Sequence, residues 1–329
     1  MDSSSATAAR ASVPRLPRLR ECVPLRSITG EMTDATRSLF LDVAQNVSQK
    51  EDAELSAALP HAVARARAAA AHWDFGAPSK IVDGCIAGIF PAYRDDDLNR
   101  IRVAVVARLA LEHSEVEDRL PASVLALYPS FLDRVARFLA NTTGRTYKVD
   151  FYCKDVRYAL GLTVPCGLLQ IDLRYSIGPK LILREFMRSG LPQMSCDLLP
   201  LVWGRWYNTH LDPRDMGEFN LGGWTASFCR IGETLELNSA VRGAAGASWF
   251  YDPMVSQISP ELAYMRRNQI SSGAFSFYLG DAPHHTKNAL YASRIRQDLY
   301  AEGKYLPAAY LIAWPRRRLI DWMRSVATP

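Results

Sequence analysis

Val241-Arg-Gly-Ala-Ala-Gly-Ala-Ser-Trp-Phe-Tyr-Asp-Pro253 reads as a strand that ends at a site. Small residues fill its first half, aromatic residues close it, and Asp252-Pro253 stops it. Gly243 and Gly246 let a second backbone or a ligand come close, and Pro253 has no N–H to give to a ladder. The run points to a central strand and to the place where a ligand would meet it. It names no reaction.

Outward from this strand, helical and strand periods take turns. Downstream, Ser259-Pro260-Glu261 opens a helix over about 259–270, with serine as cap and proline in the first turn. A strand at 274–279, a helix at 286–302, a strand at 306–314 and a closing helix at 316–326 follow. Upstream, Tyr147–Tyr152 and Leu168–Leu173 read as strands, 178–190 as a helix and 200–208 as a strand. A long helix over 213–237 carries Phe219, Trp224, Phe228, Ile231 and Leu235 on one side. Such alternation predicts an α/β domain over 144–329.

Residues 28–143 keep a helical period nearly throughout. Thr33-Asp34 suits a helix start, Leu55, Leu59, Val63 and Ala66 form a stripe, and Asp95-Asp96-Asp97 places negative charge at a helix N-terminus. Residues 1–27 are basic and broken by prolines, which suits a flexible arm. The expected fold is therefore α/β, a helical N-terminal half packed on a C-terminal α/β sheet domain.

Composition bounds the function. At 329 residues, 48% hydrophobic and 10% aromatic, the chain can fill a large core. The net charge of +5 is mild, and arginines at the two ends carry much of it, so nucleic acid is not an expected partner. Six cysteines without C-x-x-C spacing and no apolar leader suit a reducing, cytoplasmic setting. No run reaches the roughly 18 apolar residues of a spanning helix, so no membrane role is expected. A small-molecule substrate is the natural partner.

Chemistry is sought just past the strand ends, where open α/β sheets bind ligands. His210, Asp212, Tyr251, Asp252 and His285 fall there, with Trp249 beside them. Asp252 also reads as a plain Asp-Pro turn. Cys166, before Gly167, reads as a small buried thiol, and Gly178-Pro-Lys180 as a solvated basic turn. No Walker loop, G-x-G-x-x-G, H-E-x-x-H or G-x-S-x-G is present.

The C-terminal order of strand 241–251, helix, strand 274–279, Asn288, then Leu299-Tyr-Ala-Glu-Gly-Lys-Tyr305 leading into strand Ala308–Trp314 resembles the end of GNAT-type N-acyltransferases. The resemblance covers about 75 residues. It implies acyl transfer from acyl-CoA to the amine of a small metabolite, with Asn288, Trp249 and Tyr251 toward the cofactor. Tyr300 would be the acid toward the leaving thiolate, and His210 or Asp252 the base that relieves the amine of its proton. Where that family has a glycine turn for the pyrophosphate, Met254-Val-Ser-Gln-Ile-Ser-Pro260 follows the 241–251 strand. Two other readings stand beside it. His210-x-Asp212 with His285, and Arg294 and Arg296 beyond, resembles the iron(II) facial triad of 2-oxoglutarate oxygenases. A non-enzymatic binding or interaction protein would use the same aromatic cluster as a contact surface.

Overall fold

The computed structural model describes residues 26–70, 74–142, 145–189, 204–214, 216–281, 283–291 and 293–327. The arm over 1–25, His72, Cys22, Cys196 and Trp203 lie outside the described residues.

Helices α1 (Asp34–Ala44), α2 (Gln49–Ala69), α3 (Ala77–Ile89), α4 (Asp95–Glu112), α5 (Ala122–Leu125), α6 (Tyr128–Thr142) and α7 (Val149–Ala159) form the N-terminal layer. Their starts are chemical. The Thr33 side chain accepts from the Thr36 N–H at α1, and Ser48 and Glu51 form a reciprocal capping box at α2. Three aspartates open α4, as expected. One element departs from expectation: Tyr147–Tyr152 is no strand but runs into α7. Tyr152, Val156 and Ala159 are buried there at helical spacing, and a short apolar window does not separate the two periods.

Two-residue strands β1 (Arg26–Ser27) and β2 (Glu115–Val116) pair with each other, so the chain is tied down from Arg26 onward. The main sheet has the order β3 (Thr163–Pro165), β4 (Leu169–Tyr175), β5 (Arg205–Leu211), β6 (Val241–Ser248), β8 (Ala309–Pro315), β7 (Phe275–Gly280). Every neighbouring pair is antiparallel except β5 and β6, which run parallel. That pair needs a crossover, and α9 (Leu221–Leu237) supplies it.

The remaining helices are α8 (Pro179–Ser189), α10 (Val255–Ile258), α11 (Tyr264–Ser271), α12 (Pro283–Leu290), α13 (Arg294–Ala301) and α14 (Arg316–Ala327). The single helix expected over 286–302 is thus two, and the strand expected to reach Tyr251 ends in a 3-10 turn over Trp249–Tyr251. The fold is the expected α/β class with a mixed sheet.

Helices α9 and α14 cover one face of the sheet. Trp224, Phe228, Ile231, Leu235, Leu319 and Met323 share a core there with Tyr207, Ala244, Ile312 and Trp314, and that core continues into the N-terminal helices. The other face has a smaller cluster in which Ile182 of α8 meets Trp206, Ala245, Phe277, Leu311 and Ala313. Helix α8 also closes the edge strand. Glu185 accepts from the Tyr278 N–H at 3.3 Å, and Arg184 donates to the Tyr278 carbonyl at 2.5 Å.

Candidate active site

The parallel strands β5 and β6 part at their carboxyl ends. They are in register at Arg205 with Val241, Tyr207 with Ala244 and Asn208 with Ala245. Beyond that point Thr209, His210 and Leu211 pair with β4, while Gly246, Ala247 and Ser248 pair with β8. A fork opens between them. At its apex the Thr209 hydroxyl donates to the Ala245 carbonyl at 3.3 Å, and a Cβ on Gly246 would lie 2.1 Å from Thr209 Oγ1. Only glycine fits there. On the α9 side the fork is closely packed, walled by Thr209, Gly246, Tyr251, Gln269 and Trp314 among others.

The segment after β5 returns to the fork. Helix α9 starts at Leu221, later than the sequence suggested, because Asn220 caps it by accepting from the Gly223 N–H at 3.0 Å. Leu221 and Gly222 are exposed, so the positive end of the helix dipole comes to the surface there, while Asn220 occupies the Gly223 N–H. Trp224, one turn in, packs edge-on against Phe250 at 5.8 Å and Tyr251 at 6.3 Å, which sets this turn beside the end of β6.

On the opposite face of the sheet, β5 presents His210. Its Nε2 lies 2.5 Å from Asp172 Oδ2 on β4. Asp172 is almost fully buried, and Arg157 of α7 donates to its other oxygen at 3.0 Å, as does Thr163 of β3. Burial alone would raise the Asp172 pKa; His210 and Arg157 outweigh it and hold the carboxyl down to about 2. Phe75, from the connection before α3, stands edge-on to the imidazole at 5.1 Å and lies under the Arg157 guanidinium at 4.8 Å. The His210 side chain keeps 19% exposure, so it is reachable.

The other expected site residues are spread. Asp252 is buried beyond β6 and accepts from the Met254 and Ala308 N–H groups, the work of a turn carboxylate; burial raises its pKa. Tyr251 is fully enclosed at the fork, and burial pushes its hydroxyl up. Trp249 is half-buried under the Arg296 guanidinium at 4.8 Å. Asn288 is exposed on α12 and Tyr300 on α13, a helix that packs against α12.

The iron reading is corrected. Both Asp212 oxygens are taken by Arg214, at 3.0 and 2.8 Å, and His210 is turned to Asp172. Among the described residues no three His, Cys, Asp or Glu side chains gather as a metal site, and His285 lies on α12.

Three features escaped the sequence reading. Asp172 alternates with apolar neighbours in Leu-Gln-Ile-Asp-Leu, a period-2 pattern whose polar side could have been matched to His210 across the sheet. Gly217-Glu-Phe-Asn-Leu-Gly-Gly223 is a glycine turn opening a helix, but it follows β5, one strand earlier than the 241–251 strand after which the GNAT resemblance puts such a turn. Tyr264 on α11 has a buried hydroxyl with no hydrogen bond among the described residues, and its ring meets Trp224 at 6.2 Å.

No protein-family model and no curated protein matches the chain. Among solved structures it is similar to an acyltransferase mutant in complex with octanoyl-CoA, at 12% identity and a TM-score of 0.42 over 90% of this chain and 91% of that one. It is also similar to an acyltransferase with decanoyl-CoA and teicoplanin, at 12% identity and a TM-score of 0.41 over 90% and 91%. A third, an acyltransferase with CoA and 10C-teicoplanin, matches at 11% identity and 0.40 over 89% and 90%. Likeness at that level carries no weight for residues or chemistry.

Proposed function

We propose that the chain transfers an acyl group from an acyl-CoA-type thioester to the amine of a small molecule. The observation that carries this reading is the fork between β5 and β6, with the exposed start of α9 on one side and His210 on the other. A phosphate-bearing thioester suits it: the positive end of the α9 dipole at the exposed Leu221 and Gly222 favours phosphate, and a fork this narrow suits only a thin, flexible arm.

In this reading His210 takes the proton from the attacking amine as the new N–C bond forms at the thioester carbonyl. The C–S bond then breaks, and the departing thiolate takes a proton from a tyrosine. Tyr264 suits that role better than Tyr300. The buried Tyr264 hydroxyl has no hydrogen bond among the described residues, and α11 packs against α9, whereas α13 packs against α12. Asp252 serves the turn and leaves the base to His210.

The test is thiol release from acetyl-CoA and octanoyl-CoA across a panel of small amines. The reading expects amine-dependent release, lowered about 10²- to 10⁴-fold in His210→Ala. Gly222→Asp sets a carboxylate in the first turn, which the helix dipole tolerates, yet it should weaken acyl-CoA binding by at least tenfold through repulsion of phosphate. No release with any amine and no effect of Gly222→Asp on binding would refute it.

A further inference from the structure

Resting on the reading of His210 as the base, we propose that Asp172 is its positioning residue. It holds the imidazole as the Nε2–H tautomer and leaves the Nδ1 lone pair for the proton of the acceptor. An imidazole has one donor and one acceptor nitrogen when neutral, and the partner of one nitrogen decides which is which. Nε2 is 2.5 Å from a carboxylate oxygen, an acceptor only, so Nε2 carries the hydrogen; no described residue bonds Nδ1.

The carboxylate is itself held. Asp172 Oδ1 receives Arg157 Nε–H and the Thr163 hydroxyl, which come from α7 and from the strand paired on its other side. Arg157 in turn donates to the Phe75 carbonyl at 3.3 Å, so the loop that walls the imidazole is tied to the same network. His210 meets Asp172 from β4; Arg157 of α7 bonds the same carboxylate, and Lys154 of α7 donates to the neighbouring Leu211 carbonyl at 3.4 Å. Asp212, just past the end of β5, is spent on Arg214, which also holds Asp155 of α7 at 2.7 Å. Asp172 therefore has no competitor for the imidazole. An ordinary structural ion pair would have needed only Arg157; the third partner, His210, with 19% of its side chain exposed, is the one that faces solvent.

Replacement by asparagine offers Nε2 an N–H donor in place of a lone pair and favours the opposite tautomer, with Nδ1 protonated and unable to accept. The experiment is 15N NMR of histidine-labelled protein combined with a double-mutant cycle. The wild-type spectrum is expected to show His210 as the Nε2–H tautomer, and Asp172→Asn to move it toward Nδ1–H. In turnover, Asp172→Asn is expected to lower kcat about 10²- to 10⁴-fold with acyl-CoA affinity unchanged, and to cost nothing further in a His210→Ala background. Equal losses in both backgrounds would mark a merely structural role and overturn the proposal. So would a wild-type Nδ1–H tautomer, a result that needs no variant to fold. The spectrum reads the tautomer whether or not acyl transfer occurs, so an inactive protein with Nε2–H at His210 would sink the acyltransferase reading and leave the positioning intact.

Discussion

Gly246→Ala should be costly for one removable reason. The new Cβ would sit 2.1 Å from Thr209 Oγ1 and 3.2 Å from the Thr209 carbonyl, the first well over an ångström inside ordinary contact. The hydroxyl has to swing away, giving up its bond to the Ala245 carbonyl, about 1 kcal/mol. Strain in a packed fork adds about 1–3 kcal/mol, for a total near 2–4 kcal/mol. In a Thr209→Ala background the oxygen is gone and only the tight carbonyl contact remains, so the same substitution should cost under about 1 kcal/mol. Urea unfolding of the four proteins, with m unchanged, gives the coupling directly. Equal costs in the two backgrounds would refute the assignment of Gly246 to the apex of the fork.

Arg214→Met should cost about 3–5 kcal/mol in the same unfolding assay, since it strands the buried Asp155 and Asp212 without a cation. Acid should weaken the fold through Asp172 and Asp212. Burial pushes both up, but His210 and Arg157 in one case and Arg214 in the other hold both down to about 2. Their folded pKa values lie below the ordinary value near 4, so the stability they give is full above about pH 4 and drains as pH falls toward 2. Asp212→Asn should flatten that limb of the stability curve. Ser48→Ala breaks the capping box of α2 and should cost about 1 kcal/mol, read as a lowered urea midpoint.

Much of the sheet was legible because β4 alternates apolar and polar residues, β6 is a run of small residues and β8 an apolar one, each between clear breaks, and the helical half was legible from its stripes and caps. The errors share a cause. Tyr147–Tyr152 and the 286–302 helix were short or interrupted windows in which period does not decide, and tertiary packing did. The site was half legible. His210 at a strand end could be read, and so could the aromatic close of β6. The partner of His210 could not, because Asp172 is 38 residues away and only the antiparallel register of β4 on β5 brings it near. Nor could the strand direction, and without knowing that β5 and β6 are the parallel pair, the glycine turn before α9 had no reason to stand out.

Amide hydrogen exchange with and without saturating acetyl-CoA tests the central claim most directly. The fork is expected to gain protection at 209–211, at the first turn of α9 and at 246–252, with the rest of the sheet unchanged. Protection confined to other segments, or none at all, would contradict a thioester seated between β5 and β6.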